Sequence, residues 1–135
     1  MNTTDSITEV VAAVVSRDGK YLIARRPLHK HHGGLWEFPG GKIGKSEAAS
    51  DAISRELREE LGVNFVNAGK TITVLSDGTI QIRFLIVEIE DQPVALEHSE
   101  LRWCNLDELL SLDLAPLDER FVVGVLESHN QEEKQ

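Results

Sequence analysis

Two Asp-Gly pairs, Asp18-Gly19 and Asp77-Gly78, each interrupt a stretch rich in β-branched residues. Such a pair between apolar runs signals a tight hairpin, because both turn residues must accept positive φ. The spacing predicts strands over 10–16 and 21–25 around the first turn, and over 71–76 and 79–88 around the second. Between the hairpins lies a helical pattern that ends near Leu61. Ile53, Leu57 and Leu61 recur every four residues and align on one face. Ser46 is the expected N-cap, and Gly62 stands where helices commonly end. A short strand is expected over 100–104, and helices over 106–112 and 117–128. Hairpins separated by helices predict an α/β chain with a mixed sheet rather than a purely parallel one.

With 135 residues, the chain is long enough for one domain with a real core, expected over about residues 8–128. The tail HNQEEKQ is polar and expected to fray. A hydrophobic content of 41% and 27% charged residues fit a soluble globular protein. No apolar run approaches a membrane span. MNTTDSITEV has no basic region followed by an apolar stretch, so no secretory signal is expected. The single cysteine, Cys104, lies in the apolar stretch LRWCNL, which favours a packed thiol in a reducing, cytoplasmic setting. The net charge of −9 offers no basic face, so stable nucleic-acid binding is not expected. Acidity is compatible with a phosphorylated small molecule, because a divalent cation bridges carboxylates to phosphates.

Gly44-Lys45-Ser46 looks like the end of a phosphate-binding loop. That loop needs a glycine five positions before Gly44. Position 39 is Pro39, which has no N–H to offer a phosphate. The chemistry lies further on, in Arg55-Glu56-Leu57-Arg58-Glu59-Glu60. Glu56, Glu59 and Glu60 are related by three and four residues and share a helix face beside the apolar one. They sit in the C-terminal half of the helix, where its dipole disfavours negative charge. The ordinary explanation is a solvated acidic face with Arg55 and Arg58 as partners. The sharper one is a site for a hard divalent cation, since Mg²⁺ takes oxygen ligands. No His or Cys lies on that face, which argues against zinc.

Gly41, five residues, Glu47, seven residues, Arg55-Glu56-Leu57, one residue, Glu59-Glu60, one residue, Gly62-Val63 resembles the Nudix hydrolase signature at every defined position. The GKS triplet lies inside that signature. Many Nudix proteins carry Glu-x-Gly where this chain has Gly44-Lys45-Ser46. Leu35 to Lys42, Ala24-Arg25-Arg26, Glu97 to Trp103 and Leu114 to Asp118 also resemble the MutT-like branch, so the likeness covers most of residues 8–126.

The resemblance implies the Nudix fold, an α/β/α sandwich around a central mixed sheet. It implies hydrolysis of a nucleoside triphosphate to a nucleoside monophosphate and pyrophosphate, with Mg²⁺ or Mn²⁺ as cofactor. By matching, Glu56, Glu59, Glu60, Glu97 and the Gly41 carbonyl would hold metal. Arg55 would orient the glutamates and pair with Glu47. The general base is left open among Glu56, Glu59 and Glu97. Arg26 would contact phosphate, and Glu37 and Phe38 would belong to the substrate site, with a core role for Phe38 as the alternative. His29, His31 and His32 are expected on an exposed loop at the mouth of the site. Asp118 would read the base, or else cap the last helix. An aspartate there fits cytidine nucleotides as well as oxidised guanine such as 8-oxo-dGTP.

The rivals are a cytidine-type pyrophosphohydrolase, an ADP-ribose hydrolase and a non-catalytic nucleotide-binding module. The ADP-ribose branch typically has a proline where this chain has Gly78-Thr79, and loss of box glutamates would mark the non-catalytic reading. The expected assembly is a monomer or weak homodimer, without a membrane partner.

Overall fold

The computed structural model describes residues 7–64 and 66–128. The expected frayed tail at 129–135 and the first six residues lie outside them. The elements, in chain order, are β1 (Thr8–Val14), β2 (Ser16–Arg17), β3 (Lys20–Arg25), β4 (Trp36–Glu37), β5 (Gly40–Lys42), α1 (Ala49–Leu61), β6 (Val66–Ser76), β7 (Ile80–Ile89), β8 (Glu100–Cys104), α2 (Leu106–Ser111) and α3 (Pro116–Phe121), followed by a π-helical turn at Val122–Leu126.

Both hairpin turns form where Asp-Gly predicted them. Asp18 and Gly19 take φ of 54° and 76°, the left-handed pair that joins β2 to β3. At the second turn Asp77 accepts from the N–H groups of Thr79 and Ile80, both at 2.8 Å. β6 and β7 then pair antiparallel. β1 runs parallel to β7, from Thr8 opposite Ile80 to Val14 opposite Ile86, and antiparallel to β5. The strand order β5-β1-β7-β6 is therefore the expected mixed sheet. A second, antiparallel sheet is built on β3, which pairs with β2, β4 and β8.

Alternation along β1 and β7 sends side chains to two cores. Val11, Ala13, Leu85 and Val87 pack with Ile53, Leu57 and Leu61 of α1. Ala12, Val14 and Phe84 face the other way, toward Trp36, Phe38, Leu109, Phe121 and Val122. Helices thus cover both faces, the expected sandwich. Ile53, Leu57 and Leu61 are all fully buried, each burial contributing about 1.5–3 kcal/mol.

Several boundaries differ from expectation. Ser46 is not the N-cap. It takes φ of 63° inside a loop that closes on itself, with Glu47 accepting Gly44 N–H at 2.7 Å. The helix begins at Ala49, with Ala48 as N-cap and no side-chain cap bond. Gly62 ends it as expected, left-handed at φ 68° and donating to the Arg58 carbonyl. β6 begins at Val66 rather than residue 71, with irregular register between Ala68 and Thr73. Among the described residues, no helix is long and apolar enough to cross a membrane.

Candidate active site

β5 lays Gly40-Gly41 against β1, with Gly41 opposite Val11 and Gly40 opposite Ala12. The approach is close. A Cβ on Gly40 would stand 2.0 Å from the Val11 carbonyl oxygen, so backbone alone fits there. A Cβ on Gly41 would stand 1.5 Å from Glu56 Oε2. The glycine pair therefore makes room for the carboxylates that α1 presents. Glu60 Oε1 lies 3.4 Å from Gly40 N, a weak bond at best.

Arg55 organises the outer side of these acids. Its Nε and Nη2 donate to the two oxygens of Glu47, both at 2.9 Å. Its Nη1 reaches Glu56 at 2.9 Å and Glu59 at 3.4 Å, and Nη2 also donates to the Lys42 carbonyl at 3.0 Å. The pairing with Glu47 is the contact expected of it. The fork holds Glu47 down to about 2, helped by the Gly44 N–H, and raises the guanidinium itself.

Glu56 and Glu60 sit in the opposite field. Burial raises Glu56 despite the nearby Arg55. Glu60, only 6% exposed, is pushed up to about 9, first by burial and then by the charges of Glu56, Glu37 and Glu97. Acids are gathered here with too little positive charge to balance them. Their donors are all oxygen, which suits a hard divalent cation. The residues present fit such a group by charge and by donor chemistry. They are not drawn around one point: among the described residues no three His, Cys, Asp or Glu side chains are arranged to hold a metal ion. Glu59 turns outward to Arg55 with its side chain 53% exposed, and Glu97 is exposed on the loop before β8.

Beyond Gly40-Gly41 lies a cavity of about 280 Å³, lined by Arg26, His31, His32, Glu37, Phe38 and Asp118 among others. Arg26 is expected to offer its fork to phosphate. In the structure Nη1 is held by both oxygens of Glu37, at 3.0 and 3.2 Å, and Nε by the His31 carbonyl at 2.7 Å. A phosphate would share this arginine with Glu37. The ring of Phe38 belongs to the core. It is 3% exposed and meets Phe84 and Phe121 edge-on at 6.1 and 5.4 Å. This packing favours the core role over stacking on a base, since only 3% of the residue is exposed. Its backbone N–H donates to Asp118 Oδ2 at 2.9 Å. Asp118 lies on the first turn of α3 yet bonds across to β4's end, so it is no simple helix cap. Complete burial pushes its carboxyl up to about 7, with the Phe38 N–H opposing. The expected exposed loop holds His31 and His32, both exposed, their rings 3.9 Å apart.

A larger open groove of about 960 Å³, between Thr8, Lys45 and Arg83, is lined by Glu47 but by none of the three box acids. It meets the cavity of Asp118 only at Lys42, which lines both.

One residue at the site escaped the sequence reading. His98 follows Glu97, and its side chain is 7% exposed. Nε2 lies 2.9 Å from Glu37 Oε2, and Nδ1 lies 3.8 Å from Glu60 Oε1. The only signal was its place beside a suspected catalytic acid.

Residues 10–123 match the family model of the NUDIX domain. The chain belongs to the Nudix family. Its similarity to known members is broad. It is 40% identical over 115 residues to an Escherichia coli protein named CTP pyrophosphohydrolase, covering 82% of this chain and 84% of that one. It is 32% identical over 126 residues to a Mycobacterium tuberculosis protein named putative 8-oxo-dGTP diphosphatase 2, covering 90% and 89%. The solution structure of the E. coli ORF135 protein superposes with a TM-score of 0.77 at 35% identity, covering 93% of this chain and 92% of that one. A MutT Nudix hydrolase from Burkholderia pseudomallei also superposes at 0.77, with 25% identity over 88% of this chain and 98% of its own.

Proposed function

We propose that this Nudix hydrolase cleaves nucleoside triphosphates to a nucleoside monophosphate and pyrophosphate, with oxidised nucleotides such as 8-oxo-dGTP as its substrates. The observation that carries the reading is the convergence of Glu56 and Glu60 on Gly40-Gly41, at the floor of a base-sized cavity that ends in buried Asp118. Glu56 and Glu60, with Glu59, Glu97 and the Gly41 carbonyl, are the groups that would hold Mg²⁺ or Mn²⁺. When bound, the cation neutralises phosphoryl charge and makes its water a better nucleophile. The chain's residues do the rest. Arg55 aligns Glu56 and Glu59 from one side. Arg26, shared with Glu37, faces the phosphates from the other. A water oxygen bonds to phosphorus, the bridging P–O bond breaks, and pyrophosphate leaves. The water's proton passes to one of Glu56, Glu59 or Glu97.

A second reading, a cytidine-type pyrophosphohydrolase, is favoured by Asp118 and by the 40% identity to the E. coli protein named for CTP. With its carboxyl pushed up to about 7, Asp118 changes form near neutral pH. Protonated, it donates and accepts, which suits cytosine N3 and the exocyclic amine. Ionised, it only accepts, which suits the N1–H and amine of guanine or oxidised guanine. The kcat/KM ratio of cytosine over oxidised-guanine triphosphate should fall as pH rises through about 7. Asp118→Asn cannot titrate, so its ratio should stay flat. Asp118→Ala should lower kcat/KM for the preferred base by roughly ten- to a hundredfold, the equivalent of a charged hydrogen bond of about 1.5–3 kcal/mol. Unchanged ratios in both variants would assign base reading to another residue.

The cation reading has its own test in solution. The folded state keeps a proton on Glu60 up to about pH 9, so cation binding must displace it. Mg²⁺ affinity should therefore rise with pH up to about 9. Calorimetry in two buffers of different ionisation enthalpy should show proton release at pH 7.5. No proton release there would remove Glu60 from the ligand set. Substrate choice is settled by quantifying the nucleoside monophosphate released with Mg²⁺ from normal and oxidised nucleoside triphosphates and from ADP-ribose, the last of which gives AMP and ribose 5-phosphate. Preference for ADP-ribose would overturn both readings.

A further inference from the structure

We propose that the open groove next to the substrate cavity is the subsite for the γ-phosphate of the substrate and for the departing pyrophosphate, with Arg83 and Lys45 as its cationic contacts. This rests on the reading that puts the base at Asp118 and the reacting phosphates at the box acids. The groove, about 960 Å³ in volume, is lined by three cations, Lys42, Lys45 and Arg83. None of the three has an ion-pair partner among the described residues. Half-buried Arg83 makes one long side-chain contact, from Nη1 to Thr71 Oγ1 at 3.3 Å. The acids of the groove do not balance these charges. Glu47 is bound at both oxygens by Arg55, at 2.9 Å each. That leaves Glu9 as the one lining acid without an ion pair. In a chain of net charge −9, a surplus of unpaired cations along one groove attracts an anion.

Strand register explains how Arg83 comes to face this groove. On β7 it lies two residues before Leu85, which packs with α1, so both side chains leave the sheet on the helix face. Val11 stands opposite Arg83 on one side and opposite Gly41 on the other, so the three form a row across β7, β1 and β5. Gly41 faces the same way, since a Cβ on it would point at Glu56. Arg83 therefore shares a face of the sheet with the box acid. Lys42 supplies the path between them. It follows Gly40-Gly41 on β5 and lines both the cavity that ends in Asp118 and the groove. A nucleotide with its base at Asp118 and its first phosphates at Gly40-Gly41 reaches Lys42 next, and then the groove. The terminal phosphate is the most highly charged of the three, and guanidinium and ammonium groups are its natural contacts. Once the bridging P–O bond breaks, the same contacts hold the pyrophosphate, which leaves through the open side.

The test compares a nucleoside triphosphate with its diphosphate, which ends one phosphate short of the groove. The diphosphate is followed as a substrate or, where it is not cleaved, as a competitive inhibitor. Arg83→Gln and Lys45→Gln should each lower kcat/KM for the triphosphate by about five- to tenfold, while the value for the diphosphate stays within about twofold of the parent. Inorganic pyrophosphate with Mg²⁺ is the binding probe, titrated by calorimetry without nucleotide, and its affinity should fall in the same two variants. Thermal melts report folding, and Lys45, exposed on its loop, keeps the test open should Arg83→Gln not fold. Equal losses for triphosphate and diphosphate would overturn the proposal, because they mean packing or a general field rather than a γ-phosphate contact. Parent-like triphosphate kinetics and pyrophosphate affinity in both variants would overturn it as well. A parent protein that cleaves no nucleoside triphosphate would instead overturn the functional reading, and the pyrophosphate titrations would still report on the groove.

Discussion

Glu56→Gln and Glu60→Gln should each lower kcat by roughly a hundredfold or more at saturating Mg²⁺, the usual cost of losing a positioned catalytic group, while both variants stay folded. Each change keeps the shape of the side chain and removes a charge. The fold has little need of that charge. Glu60 is 6% exposed, and burial together with Glu56, Glu37 and Glu97 disfavours its ionised form. The stability consequence has a definite sign. Glu60 is raised from 4.5 unfolded to about 9 folded, so the folded chain holds the extra proton between those values. The parent therefore loses stability as pH rises through that window. Glu60→Gln has no such slope. Without cation, its melting temperature should equal or exceed the parent's at pH 5 and gain on it up to pH 9. A variant that turns over normally and still needs metal would show that the site lies elsewhere.

Gly41→Ala should cost about a hundredfold in kcat/KM, as a displacement of catalytic groups by an ångström does, with little change in melting temperature. The added Cβ would meet Glu56 Oε2 at 1.5 Å and Cδ at 2.4 Å. The obstruction is the far end of a flexible side chain, so Glu56 swings away and the backbone stays. Gly40→Ala makes the contrast. Its Cβ would meet the Val11 carbonyl oxygen at 2.0 Å, inside the β1–β5 pairing, where nothing flexible can yield. That variant should fail by unfolding rather than by misplacing an acid. Melting curves and kcat/KM together separate the two. Equal melting temperatures for both variants would mean that the glycines are not the spacer described above.

What could be read from the chain beforehand was mostly local. Asp18-Gly19 and Asp77-Gly78 carry their turn chemistry within two residues. Ile53, Leu57 and Leu61 carry theirs within two helical turns, and all three are fully buried. The box acids were legible because the motif spans one loop and one helix. The other features depend on contacts that no local pattern records, most of them with distant chain. Ser46 has the right side chain for an N-cap, but the Gly44–Glu47 bond closes the loop around it and the helix starts later. β4 and β5 are too short to show alternation, and they exist because β3 and β1 pair with them. Phe38 could have faced a base or the core, and Phe84 and Phe121 decide for the core. His98 has no local signature beyond its place next to Glu97, in a stretch that resembles the MutT-like branch. Its burial between Glu37 and Glu60 arises only when the loop before β8 docks on the end of α1.

The site should work only through its acids and a divalent cation, and one measurement addresses that. A nucleoside triphosphate accepted in the substrate panel is incubated with the purified chain, in Mg²⁺ and in excess chelator, and the products are quantified. The expected result is nucleoside monophosphate and pyrophosphate in equal amounts with Mg²⁺, and no turnover with chelator. Full turnover in chelator, or release of inorganic phosphate with a nucleoside diphosphate, would contradict it.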